Sequence, residues 1–168
     1  MLVLILIVSG IFLRLVPHAP NFTPVAAIAL FSAAYLNKRY AFTIPLIVMV
    51  ISDLLVGLHD VVIFTWGGFI LVTFLGLWIK KRKNVFRIIS LSLVSSLLFY
   101  LVSNFGVWVM GWYPHTLGGL IECYVLALPF LRNFTFATVL YTAIFFGIYE
   151  LIAHVVKNSK YSRVLLAN

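Results

Sequence analysis

The stretch Arg14-Leu15-Val16-Pro17-His18-Ala19-Pro20-Asn21-Phe22-Thr23-Pro24 decides how the rest of the chain is read. It lies between two apolar runs and carries three prolines, an arginine, a histidine and an asparagine. Each proline removes a backbone donor and clashes with the preceding turn, so no single helix can contain all three. The stretch is therefore a bent connector between two helices. In a membrane, such backbone is tolerated only at the surface, or where protein or a water-filled cavity surrounds it. A stiff polar connector of this kind fits either the wall or lid of a binding site, or a plain turn.

Working outward, the flanking sequence is apolar almost without interruption. Of the 168 residues, 64% are hydrophobic and 10% charged, whereas a soluble domain is nearer half apolar and a quarter charged. These proportions indicate an all-α integral membrane protein. The unbroken runs do not alternate as the strands of a barrel would. At about 20 residues per span the length allows about six helices and no soluble domain. The net charge of +8 does not point to nucleic acid, because the basic residues sit between apolar runs. A single cysteine rules out an intrachain disulfide.

The apolar periodicity places helices at about 1–16, 23–36, 42–58, 61–79, 85–109 and 134–156. The first is read as a retained helix, since it lacks a basic leader and Pro20 follows the one plausible cleavage residue, Ala19. In the second, Thr23 is expected to cap and Pro24 to take the first helical position. That helix would be only about 21 Å long. It is rich in small residues, and Ala29 and Ala33 form a small-xxx-small pair. The pair serves either packing within this chain or docking of a separate subunit. Pro45 is expected in the first turn of the third helix. In the fifth, Ser92, Ser96, Tyr100, Asn104 and Trp108 recur every four residues and form a polar and aromatic stripe. Residues 111–133 read as a re-entrant or interfacial loop in which 120–128 form a helical piece too short to span, ending before Pro129, with Asn133 capping the last helix. That helix carries Glu150 and His154 one turn apart, and an internally paired polar contact suits them better than a proton relay.

Charge sets the expected orientation. Lys38, Arg39, Lys80, Lys81, Arg82, Lys83, Arg87, Lys157, Lys160 and Arg163 are ten of the twelve basic residues. All fall in the second and fourth connectors or the C-terminal tail. The positive-inside rule then predicts six spans with both termini cytoplasmic. The Lys80–Lys83 run reads as a topology determinant that contacts anionic lipid. Arg14, His18, Asn21, Asp53, His59, Asn104, Trp108 and Cys123 all come to the outer half. Polar groups are costly there and tend to mark a site. These eight are the candidate substrate-binding residues, with Trp112 as a further apolar wall and a flat or heterocyclic organic molecule as the ligand.

Asp53 is the strongest single signal, because a carboxylate inside an apolar run needs a partner. Arg14 or a histidine would serve, either in a structural ion pair or in a site shared with ligand. His18, His59, His115 and Cys123 match no compact zinc signature, so no metal site is assigned. No nucleophile-base pair or phosphate-cradling loop is present, so no covalent chemistry is expected, and no cofactor follows from the sequence.

Four stretches carry a resemblance: Arg14–Tyr35, Ser52-Asp53 with Gly57-Leu58-His59, Asn104–Trp108 and Gly119–Phe130. Together they resemble an uncharacterised family of small prokaryotic membrane proteins assigned to transport. More distantly, the chain resembles the substrate-binding S components of energy-coupling factor (ECF) transporters. That resemblance implies a six-helix S-component-like bundle in the prokaryotic inner membrane. It implies an outward pocket for a vitamin or other micronutrient, and docking onto a transmembrane coupling subunit with ATPases. The alternative is a structural or accessory subunit of a larger respiratory or photosynthetic membrane complex, whose polar residues would serve packing alone.

Overall fold

The computed structural model describes residues 2–156, which form seven helices. They are α1 (Leu2–Leu15), α2 (Val25–Tyr35), α3 (Lys38–Val56), α4 (Val62–Lys81), α5 (Val85–Val109), α6 (Leu117–Leu126) and α7 (Leu128–Val156). Four of them, α3, α4, α5 and α7, are long and apolar enough to cross a membrane, while α1, α2 and α6 are shorter. Their outward positions are apolar: Leu54, Ile63, Phe74, Phe86, Phe136 and Leu151 are all exposed. Such a surface suits lipid rather than water, and the chain is a multi-pass membrane protein.

The core is built on α2. Every residue from Val25 to Tyr35 is buried, because α1, α3, α4, α5 and α7 all pack against this helix. An interior helix does not face lipid, so its 11 residues need not match the bilayer thickness. Its small side chains allow the close approach. A Cβ added to Gly76 of α4 would lie 2.7 Å from Ala33 Cβ and 3.0 Å from Leu30 Cα. Ala29 and Ala33 are each 0% exposed. The small-residue pair is thus consumed by packing inside the chain, which corrects the expectation that it docks a separate subunit.

Several boundaries differ from those expected. Helix α3 starts at Lys38, because the Asn37 side chain accepts a hydrogen bond from Tyr40 N at 3.2 Å and caps it there. Pro45 therefore sits inside the helix rather than in its first turn. The ring removes the donor that would serve the Ala41 carbonyl, and Ser32 Oγ lies 3.5 Å from that oxygen. At the start of α2, Pro24 precedes the first helical residue, and Thr23 Oγ1 is 3.5 Å from Val25 N.

The largest difference concerns residues 111–133. The short helical piece expected at 120–128 is α6, which Thr116 caps by accepting from Gly119 N at 3.1 Å, but α7 begins already at Leu128. Only Ala127 separates the two helices, and Leu131 N bonds to Ala127 O at 3.1 Å. Pro129 is compatible with this, because in the first turn its missing donor would have no partner anyway. Asn133 consequently lies within α7 and does not cap it. Its Nδ2 instead donates to Pro20 O at 3.2 Å, tying α7 to the 16–24 connector.

The chain order gives the bundle two unlike ends. One gathers the 16–24 and 57–61 connectors and residues 110–127; it is called the connector end below. The other gathers Asn37–Arg39, Lys80–Lys83 and the last turns of α7, and is the basic end. Here Lys80 Nζ donates to Leu36 O at 2.7 Å. Tyr35 donates its hydroxyl to Glu150, and Lys83 Nζ stands 4.0 Å over the Tyr35 ring. Burial lowers the Lys83 ammonium from its ordinary value, and the Glu150 charge opposes that shift. Glu150 is thus paired with Tyr35 on another helix rather than with His154. Lys157, Lys160 and Arg163 lie outside the described residues.

Candidate functional site

The stripe on α5 faces inward. Ser92, Ser96 and Tyr100 are buried, and Ser92 and Ser96 donate to the carbonyls of Ile88 and Ser92 at 2.8 and 3.0 Å. At Tyr100 the stripe meets α6. The Tyr100 hydroxyl donates to Tyr124 O at 2.5 Å, and the Tyr124 hydroxyl donates back to Leu101 O at 2.8 Å. Their rings meet edge to face, 5.5 Å apart. This reciprocal pair locks α6 onto α5. The turn before α6 is equally tight, since a Cβ on Gly119 would fall 2.2 Å from Pro114 O.

Beside that lock lies a cavity of about 420 Å³ at the connector end. Asn21, His59 and Val61 line it from the connectors and the start of α4, with Thr65 one turn further on. Helix α5 contributes Phe99, Ser103, Asn104 and Val107. The turn after it adds Trp112 and Tyr113, and Cys123, Leu126, Ala127 and Phe130 close the far wall. This volume falls in the range of small-molecule sites.

The connector that supplies Asn21 is held in place. Phe22 packs on Phe136 and Tyr141 of α7, with ring centroids 6.1 and 5.7 Å away. Phe22 N bonds to Ala19 O at 2.9 Å. Asn21 itself has φ +60°, a left-handed conformation that asparagine tolerates better than most side chains. His59 Nδ1 is buried and has no hydrogen-bond partner among the described residues. An unsatisfied buried polar atom in a native protein calls for an explanation, and here it belongs to a residue on a cavity wall.

Of the eight candidate residues, Asn21, His59, Asn104 and Cys123 line this cavity. The other four lie elsewhere. Arg14 Nη2 and Asp53 Oδ1 form an ion pair of 2.8 Å, and Trp66 Nε1 donates to Asp53 Oδ2 at 2.8 Å. Both carboxylate oxygens are thus engaged, and Asp53 is 1% exposed. The group binds α1, α3 and α4 together and is not part of the cavity lining. His18 is exposed, with Nδ1 2.6 Å from Val16 O. Trp108 donates Nε1 to Pro114 O at 3.0 Å, and His115 Nε2 lies 2.9 Å from Trp108 O, so this pair shapes the turn. The three histidines and Cys123 do not converge, and among the described residues no group of three His, Cys, Asp or Glu could hold a metal.

A family model described as a family of unknown function, DUF6580, matches residues 1–162. The chain belongs to the DUF6580 family. No curated protein and no solved structure matches it significantly.

Sequence reasoning did not single out Thr65, Phe99, Ser103, Tyr113 or Phe130 in the wall of this DUF6580 protein. Ser103 sits beside Asn104 but off the four-residue stripe. Thr65 and Phe130 look like ordinary helical residues until α4 and α7 are placed. Cys123 is buried among apolar groups, and its thiol donates to the Asn104 carbonyl at 3.4 Å.

Proposed function

We propose that this DUF6580 protein captures a small organic molecule at the connector-end cavity, as the membrane-embedded subunit of a transporter. In this reading it spans the prokaryotic inner membrane six times with both termini inside, in the manner of an S component. A transmembrane coupling subunit with ATPases would supply the energy. The observation that carries the reading is the 420 Å³ cavity, in which aromatic walls surround a few polar side chains drawn from α4, α5, α6 and the 16–24 and 57–61 connectors. A fully packed bundle used only as scaffolding has no need of such a space, nor of a buried, unpartnered His59 Nδ1 beside it. Six spans are compatible with the short α2, because that helix is enclosed by its neighbours. The concentration of Lys38, Arg39 and Lys80–Lys83 at the opposite end supports an outward-facing cavity.

Native mass spectrometry of protein purified in mild detergent is expected to reveal a co-purifying small molecule, lost in a variant with Ser103→Phe filling the cavity. In cysteine-free protein, a cysteine at Asn84 should label only from the cytoplasm and one at Thr116 only from outside. An empty protein, or labelling of Asn84 from outside, would overturn the capture reading or its orientation respectively.

A further inference from the structure

We infer that the connector-end cavity takes an uncharged aromatic molecule that offers an N–H or O–H donor to acceptors in its wall, an inference that rests on the capture reading above. It comes from what the side chains of Thr65, Ser103, Asn104, Cys123 and His59 still offer the cavity once their own hydrogen bonds are made. Thr65 Oγ1 donates to Val62 O at 2.9 Å, and Ser103 Oγ donates to Tyr100 O at 3.4 Å. A hydroxyl has one proton, so both oxygens keep only acceptor lone pairs for anything in the cavity. Asn104 Nδ2 donates one N–H to Tyr100 O at 2.8 Å, which orients the amide and leaves Oδ1 as an acceptor and the second N–H as a donor. The Cys123 thiol is committed to the Asn104 carbonyl. His59 Nδ1, buried and unpartnered, is an acceptor whenever its ring carries the proton on Nε2. The wall thus offers acceptors at Thr65, Ser103, Asn104 and His59, while the second N–H of Asn104 and the side chains of Asn21, Trp112 and Tyr113 bring donors to the same wall.

Charge completes the argument. Among the described residues no lysine, arginine, aspartate or glutamate lines the cavity, and Arg14 and Asp53 pair with each other outside it. A ligand with a formal charge would be desolvated there without a counter-ion, at considerable cost. Phe99, Trp112 and Phe130 meanwhile provide flat apolar contacts that favour an aromatic ring.

Two matched probe series test this on the intact protein in mild detergent by isothermal titration. Indole and indene have the same shape but differ in the N–H. Tryptophol, tryptamine and indole-3-acetate share one ring and carry no charge, a positive charge and a negative charge. Indole is expected to bind about tenfold more tightly than indene, the scale of one hydrogen bond to a buried acceptor. Tryptophol should exceed both charged analogues by about tenfold or more. His59→Ala should narrow the gap between indole and indene by weakening indole alone. Equal binding of indole and indene, or tighter binding of either charged analogue, overturns the inference. If no probe binds, the co-purifying compound decides: an uncharged aromatic donor supports the inference. A charged or donor-free compound refutes it while leaving the capture reading standing. Neither probe nor co-purifying compound would remove both.

Discussion

Two polar groups occupy the same end of this bundle and differ in whether their members satisfy one another. The first is Arg14, Asp53 and Trp66, in which each carboxylate oxygen has its own donor at 2.8 Å. The second is the cavity wall of Asn21, His59, Thr65, Ser103, Asn104 and Cys123, which holds no Lys, Arg, Asp or Glu and includes a buried His59 Nδ1 with no partner among the described residues. Inside a membrane a charge must find a partner within the protein, and once found, that partner leaves the charge nothing to offer a ligand. The difference teaches that the most conspicuous polar residue of a membrane chain can be the least available one. The quieter amides and hydroxyls bond to their own helix and remain open on one side.

Three substitutions sharpen or break that contrast, in decreasing order of effect on stability. Asp53→Asn should cost about 3–5 kcal/mol, because it leaves the Arg14 guanidinium in the interior without its counter-charge. Adding Arg14→Gln should recover part of the loss in a denaturation experiment. Binding of indole by folded protein should be unchanged, and a selective loss of binding would move Asp53 into the site. Trp66→Phe keeps the ring but removes one charge-assisted hydrogen bond, at a cost of about 2 kcal/mol. It too should spare ligand binding. His59→Ala reverses the pattern: stability without ligand should shift by no more than about 0.5 kcal/mol, while indole affinity falls about tenfold. His59→Asn, which returns a polar atom near the Nδ1 position, should restore part of that affinity. A large stability loss in His59→Ala with affinity intact would make the histidine structural and erase the contrast.

Much of the fold was legible in advance. The helix expected at about 85–109 coincides with α5. The inward stripe on that helix followed from its four-residue period. The Arg14–Asp53 pair was also anticipated as one of two alternatives, because few groups could balance a carboxylate at that depth. Within residues 111–133 the short helix was legible, but its near junction with α7 was not. Their glycines and prolines read as breakers, whereas Pro129 falls where a helix tolerates it and Gly119 is required by contact with Pro114. Nor was the fate of Ala29 and Ala33 legible, since a small-residue surface looks the same whether it meets its own chain or another.

By itself, then, the sequence determined the membrane class, the helical secondary structure and the crowding of positive charge at one end. Each of these depends on the transfer energy or period of a local segment, which sums along the chain without reference to neighbours. Only the tertiary structure decided that α2 is enclosed, that α6 and α7 nearly join, and that Asn21, His59, Asn104 and Cys123 share a cavity while Arg14 and Asp53 do not. Those facts depend on which helix stands beside which, and at what rotation. A rotation of a single helix can exchange a wall residue for a buried pair without changing any local preference.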